Sequence, residues 1–168
     1  IASDFLNNGD TITTAEFKTE NTRYFNIADG AHADLKIAVL INGYSASASE
    51  LVSGALQDHK KAVLIGSKSF GKGLIQGIIM NVPEKGYAVR MTMGKYLLPS
   101  GRSIQSDPAT GKGGLTPDIE IKTTQKQELQ IAKQQYYALM GAAPPRPIRD
   151  DALEAALQYF KLQVVAKK

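Results

Sequence analysis

The segment Lys36-Ile37-Ala38-Val39-Leu40-Ile41, closed by Asn42-Gly43-Tyr44, limits the possible folds more than any other part of the chain. A run of apolar residues without polar alternation is what a strand buried on both faces requires. A helix from about Ser47 to Asp58 follows, because Ala48, Leu51, Val52, Ala55 and Leu56 recur at helical spacing. Ala62 to Ile65 is a second short apolar run. Strand, helix, strand in that order is a βαβ unit, so the expected fold class is α/β with a partly parallel sheet. A length of 168 residues suits one domain with a sizeable core, and 43% apolar with 21% charged residues is ordinary for a globular protein.

The flanking segments read as follows. Residues 1–7 resemble the end of a helix, stopped by Asn7-Asn8-Gly9. Thr11 to Phe17 alternates and is rich in β-branched residues, with Arg23 to Ile27 as its hairpin partner. Gly66 to Gly73 is a glycine-rich loop. Leu74 to Val82 and Tyr87 to Met93 are two strands joined by Pro83-Glu84-Lys85-Gly86, and Ile119 to Ile121 is a short terminal strand. The composition then changes. Residues 124–140 are Gln-rich and helical, Pro144 to Pro147 is a linker, and Asp150 to about Val165 is an amphipathic helix. Leu153, Ala156, Leu157, Phe160 and Val164 form its apolar face, as in an assembly or docking element. The expected division is a core over 1–122 and a helical extension over 123–168.

Several function classes are excluded at this level. The net charge of +4 is spread along the chain, with no basic stripe interleaved with aromatics, so nucleic-acid binding is not expected. Without cysteine there is no disulfide, zinc–thiolate site or thiol nucleophile. No apolar run reaches the ~18 residues of a membrane span. The chain opens at Ile1 without Met or a leader, as in a fragment or processed form.

Chemistry concentrates around Ser45-Ala46-Ser47-Ala48-Ser49-Glu50. A small-residue turn between a buried strand and a helix lifts a hydroxyl out of the sheet end. It also aims the helix's unpaired N–H groups at the same point, where an oxyanion would be stabilised. The same residues fit a plain helix cap, because Ser47 followed by Glu50 matches the S/T-x-x-E capping box. Spacing alone does not choose among Ser45, Ser47 and Ser49.

A serine nucleophile needs a base. His32 lies in a polar loop. His59 ends the helix that Ser47 begins, about 18 Å away at 1.5 Å per residue, and suits the helix C-terminus as a favourable charge. Lys72, in Ser69-Phe70-Gly71-Lys72-Gly73, follows the next strand of the βαβ unit, so it shares the sheet edge where ligands bind. An ordinary lysine titrates near ~10.4 and only about one in a few thousand is neutral at pH 7, so a lysine base needs burial, for which Phe70 and Leu74 are the available walls. Gln76 could orient the amine without adding charge. The alternative is a solvated loop lysine. Gly66 to Gly73 also approaches the phosphate loop G-x-x-x-x-G-K-[ST], but Gly73 replaces the metal-binding hydroxyl and a strand follows instead of a helix.

Taken together, Asn42-Gly43-x-Ser45-Ala46-Ser47-Ala48-Ser49-Glu50, Gly54-Ala55-Leu56-Gln57-Asp58, Gly66 with Phe70-Gly71-Lys72-Gly73 and Gln76, Tyr96-x-x-Pro99-Ser100-Gly101-Arg102-Ser103-Ile104-Gln105 and Gly114-Leu115-x-Pro117-Asp118 resemble the carboxyl-terminal processing peptidases, or tail-specific proteases. The resemblance is strong over 36–122 and weaker over 1–35. It implies a crotonase-like (ClpP/crotonase) α/β core and a serine endopeptidase that cuts proteins near their C-termini without metal or cofactor. It selects Ser47 as nucleophile, Lys72 as base, Gln76 as its support and the Ala48 N–H as an oxyanion donor. It further implies substrate C-termini as partners and a bacterial envelope or periplasmic location, with any membrane association supplied by segments outside this sequence. A homodimer through the C-terminal helices is an assembly that the apolar helix face allows.

Two departures stand out. The family's PDZ domain and the Gly-Gly turn that completes its oxyanion hole would precede Ile1. Losing one oxyanion donor costs ~10²–10³-fold in rate, so this chain alone is expected to cleave weakly or not at all. Tyr44 also stands where the family often has glycine. Two other classes compete with the peptidase. One is a noncatalytic binding or scaffolding module on the same fold. The other is a crotonase-type acyl-thioester enzyme, for which no glutamate pair is placed on the oxyanion turns.

Overall fold

The computed structural model describes residues 1–80 and 86–165. After a 3₁₀ turn (Ala2–Asp4), the elements are β1 (Thr11–Phe17), β2 (Asn21–Phe25), β3 (Ile37–Ile41), α1 (Ala48–Asp58), β4 (Ala62–Gly66), β5 (Leu74–Ile79), β6 (Val89–Leu97), β7 (Ile119–Glu120), α2 (Gln125–Leu139) and α3 (Asp151–Val165). They build two sheets. One is antiparallel in the order β2-β1-β6-β5, and the other has the order β3-β4-β7. In the second sheet β3 and β4 run parallel, in register from Ile37 opposite Ala62 to Ile41 opposite Gly66, and α1 makes the crossover. The class is therefore mixed α/β with a partly parallel sheet.

The differences from the sequence reading have local causes. The first residues form a 3₁₀ turn rather than an α-helical end, and β6 begins at Val89 and continues to Leu97. β3 is not buried on both faces: Ile41 is buried but Leu40 is 39% exposed, because β3 is an edge strand. The expected strand end at Asn81 and Val82, the connection at Pro83-Glu84-Lys85 and the Val164 side chain lie outside the described residues.

On α1 the buried residues are Glu50, Ser53, Gly54, Ala55 and Leu56, so the hidden face includes small and polar positions that apolar spacing does not mark. Gly54 explains this. A Cβ there would stand 2.6 Å from Leu98 Cδ1 and 3.1 Å from Leu115 Cδ2, and its absence lets both leucines pack against the helix. Leu6, Leu64, Ile65, Leu98, Ile104 and Leu115 are fully buried in the core, each contributing roughly 1.5–3 kcal/mol of burial.

The C-terminal end of α1 is clamped. Lys60 takes a positive φ of 56°, and the Lys61 N–H donates to the Leu56 carbonyl at 2.8 Å. His59 Nε2 lies 2.7 Å from the Thr11 carbonyl, so that nitrogen carries the proton, while Nδ1 is 3.6 Å from Asp10. Arg102 Nη2 donates to Asp58 Oδ1 at 3.0 Å and to Gln57 Oε1 at 2.8 Å. Gln57 Nε2 in turn donates to Asp118 Oδ1 at 3.0 Å, and the Leu64 N–H donates to Asp118 Oδ2 at 2.7 Å. These residues tie helix to sheet at the end opposite Ser47.

The extension is folded onto this body. Thr124 caps α2, accepting from the Gln127 N–H. α3 packs on β3 and β4, burying Ala156 but leaving Leu153 and Leu157 nearly half exposed. Among the described residues no helix is long and apolar enough to cross a membrane.

Candidate active site

Ser47 lies in the turn between β3 and α1, with φ 57° and ψ −120°. A side chain in that region is strained, and such backbone is kept where the surroundings over-determine it. Of the serines at 45, 47 and 49, Ser47 alone has a positive φ. The Ser45 hydroxyl is already committed, accepting from the Asn42 N–H at 3.1 Å. Ser47 is half-buried, and Ala48 begins the helix on the surface. Among the described residues the Ala48 N–H meets no acceptor, so it remains one of the helix's unused donors.

Glu50 organises the turn. It is fully buried. Its Oε1 accepts from Ser69 Oγ at 2.5 Å and from the Gly71 N–H at 2.7 Å. Its Oε2 accepts from the Ser47 N–H at 2.9 Å and from the Lys72 N–H at 2.8 Å. Ser47 and Glu50 are therefore arranged as a capping box, but the carboxylate reaches beyond the helix to the loop after β4. Four donors thus converge on this buried carboxyl group and satisfy both of its oxygens.

The loop carrying Lys72 is strapped from its other side. The Ser106 N–H donates to the Gly71 carbonyl at 2.9 Å, Ser106 Oγ to the Phe70 carbonyl at 2.8 Å, and the Gly73 N–H to Gln105 Oε1 at 3.0 Å. Further along this strap the Thr110 hydroxyl, with the backbone of Ala109 and Thr110, holds the Asp107 carboxyl below its usual range. Gly71 has φ +88°, and a Cβ there would run into Ser106 Oγ and come 3.0 Å from the Gly114 nitrogen. Gly71→Ala is therefore expected to destabilise by about 2 kcal/mol, read as a lower urea midpoint; an unchanged midpoint would contradict this account of the loop.

The side chains of the expected site are less closely gathered than the backbones. Lys72 is exposed, and the walls expected to cover it are open, with Phe70 at 59% and Leu74 at 37% exposure. The loop lies at the molecular surface, so those apolar groups face outward. Among the described residues no hydrogen bond joins Ser47 Oγ to Lys72 Nζ, or Gln76 to Lys72. Gln76 sits in β5 opposite Thr92, just after a bulge at Ile75–Gln76, a feature that re-aims side chains near sites. His32 stacks near Phe5 at 5.9 Å and His59 lies at the far end of α1, so neither reaches Ser47.

Sequence reasoning missed the wider role of Glu50. The available signal was its position three residues before Ser53 and four before Gly54, which places a carboxylate on the small-residue stripe that packs inward.

Comparison with known proteins decides the family. The model of peptidase family S41 matches residues 1–121. This chain belongs to family S41. The S41 chain is 46% identical over 123 residues to a protein of Bartonella bacilliformis named carboxy-terminal-processing protease, covering 73% of this chain and 26% of that one. It is 36% identical over 133 residues to a probable CtpA-like serine protease of Staphylococcus haemolyticus, covering 78% of this chain and 25% of the relative. Among solved structures, the photosystem II D1 C-terminal processing protease aligns with a TM-score of 0.63 and 29% identity over 72% of this chain and 29% of its own. A putative S41 protease from Bacteroides fragilis aligns with a TM-score of 0.59 over 95% of this chain and 39% of its own; at 17% identity it supports the fold alone. The S41 chain spans about a quarter of the length of the curated relatives it matches.

Proposed function

We propose that this S41 chain carries the nucleophile and base of a serine endopeptidase that cleaves protein substrates near their C-termini. Ser47 attacks the scissile carbonyl carbon while Lys72 Nζ, in its neutral form, takes the hydroxyl proton. The Ala48 N–H donates to the oxygen that becomes negative. Lys72 then protonates the leaving amine, and water hydrolyses the acyl-enzyme. Gln76 positions the amine. The observation that carries this reading is the single oxygen, Glu50 Oε2, that holds the N–H groups of both Ser47 and Lys72 beside a strained serine. No metal or cofactor takes part in this scheme. The core spans 1–122, and a bacterial envelope location and dimerisation through the C-terminal helices belong to the same reading.

Lys72→Arg tests it. Arginine keeps the length and charge but stays protonated, so cleavage of an unstructured protein should be lost while the melting temperature is unchanged. Retained turnover would remove Lys72 as the base. A noncatalytic binding module is the second reading, favoured by the exposure of Lys72. It requires that partner binding survive both Ser47→Ala and Lys72→Arg and that the parent protein show no turnover.

A further inference from the structure

We infer that Gln105 is a positioning residue for the proposed base, because its side-chain amide fixes the peptide plane on the far side of Lys72 from Glu50. This rests on the peptidase reading above. The direction in which a side chain leaves the backbone is set by the two peptide planes that meet at its Cα. At Lys72 these are the plane shared with Gly71 and the plane shared with Gly73, and they are held differently.

The first plane is held at both ends. The Lys72 N–H donates to Glu50 Oε2 at 2.8 Å, and the Gly71 carbonyl accepts from the Ser106 N–H at 2.9 Å. The second plane is held at one end. Among the described residues the Lys72 carbonyl accepts no hydrogen bond, and the Gly73 N–H donates to Gln105 Oε1 at 3.0 Å. The plane after it is fixed again, because the Gly73 carbonyl accepts from the Tyr96 N–H at 2.7 Å. The peptide between Lys72 and Gly73 therefore lies between two fixed planes and can turn only as a crankshaft. Glycine is required at its end, since a Cβ on Gly73 would come 2.8 Å from the Gln105 nitrogen. The same glycine makes the turn easy, so the bond to Gln105 supplies the restraint.

Gln105 is itself held in place. Its Nε2 donates to the Ser106 carbonyl at 3.0 Å, so both ends of the amide are used and their partners assign which end is oxygen. Its own N–H donates to Ser103 Oγ at 3.2 Å. Ile104 beside it is fully buried, and Ser103 bridges to Leu97 at the end of β6. The restraint on the lysine segment is thus carried by a segment rooted in the core. Gln105 acts on the backbone of the base, whereas the role proposed for Gln76 is to hold the amine.

The test uses the full-length protein cleaving an unstructured protein. Gln105→Met removes the acceptor at nearly the same length, and Gln105→Ala removes it while leaving room for water. Two such variants are made so that the comparison stands if one does not fold. Gln105→Glu keeps a carboxyl oxygen for the Gly73 N–H. Met and Ala should lower kcat by about 10–100-fold with KM changed by less than about twofold, and Glu should recover most of that loss. In a Lys72→Ala background Gln105→Met should cost nothing further, because its effect passes through Lys72. With parent turnover abolished by Ser47→Ala, a parental kcat in the Met and Ala variants would overturn the positioning role alone. So would a change confined to KM, equal losses in Met and Glu, or the full loss repeated in the Lys72→Ala background. A parent that does not cleave, or that cleaves equally well as Ser47→Ala, would overturn the peptidase reading and this role with it.

Discussion

The double variant Ser47→Ala, Lys72→Ala is expected to be no slower than either single variant, each falling by about 10⁴-fold or more in kcat. A nucleophile and its base act on one proton in one step. Once either is missing, the other has nothing to do, and the losses do not multiply. Residual hydrolysis would then reflect substrate binding and the Ala48 N–H alone. Steady-state rates on an unstructured protein, measured for the full-length enzyme and the three variants, form a complete cycle. If the losses multiplied, Ser47 and Lys72 would be contributing independently, and the dyad would have to be abandoned.

Removing the carboxylate of Glu50 should have the largest effect on stability. Glu50→Ala leaves four donors without their acceptor: the N–H groups of Ser47, Gly71 and Lys72 and the hydroxyl of Ser69. Stranding buried donors costs roughly 1–3 kcal/mol each, though solvent entering the gap restores part, so a total of about 3–5 kcal/mol is expected. Glu50→Gln is the sharper probe. It has the same shape, but whichever way the amide turns, its NH₂ faces backbone N–H groups that also need an acceptor. Urea unfolding should show a clear fall in midpoint for Gln and a larger one for Ala, and proteolysis should fall in both. Wild-type midpoints in both variants would mean that the carboxylate does not hold the two segments together.

The parallel unit was legible because its chemistry is local and periodic. The apolar runs at 37–41 and 62–65 and the spacing within 48–58 leave few alternatives, and β3, α1 and β4 follow them closely. The pairing of β1 with β6 was not legible. Thr14 opposite Leu97 joins residues far apart in the chain, and strand pairing at that distance leaves no periodic mark. Burial was misjudged for a related reason: Leu40 is as apolar as a core residue, but its exposure depends on which strand stands beside β3.

The helix cap at Ser47 was legible in its residue types, and the bonds that reach beyond it were not. Ser47 and Glu50 read as a helix cap, and they are one. The further use of Glu50 depends on Ser69, Gly71 and Lys72 arriving from the next strand, and capping rules do not extend that far. Lys72 shows the reverse. Its sequence neighbours promised apolar cover, but Phe70 and Leu74 open to solvent, since neighbours along a loop need not shield each other.

The shared attachment to Glu50 also bears on motion. A sheet breathes and a glycine-rich loop swings, and two groups carried separately on them would drift in and out of reach. Here the first turn of the helix and the lysine segment hang from one rigid pin, so a displacement of either carries the other along. The two backbones are thus held to a common oxygen, while the lysine side chain beyond it is exposed and able to rotate.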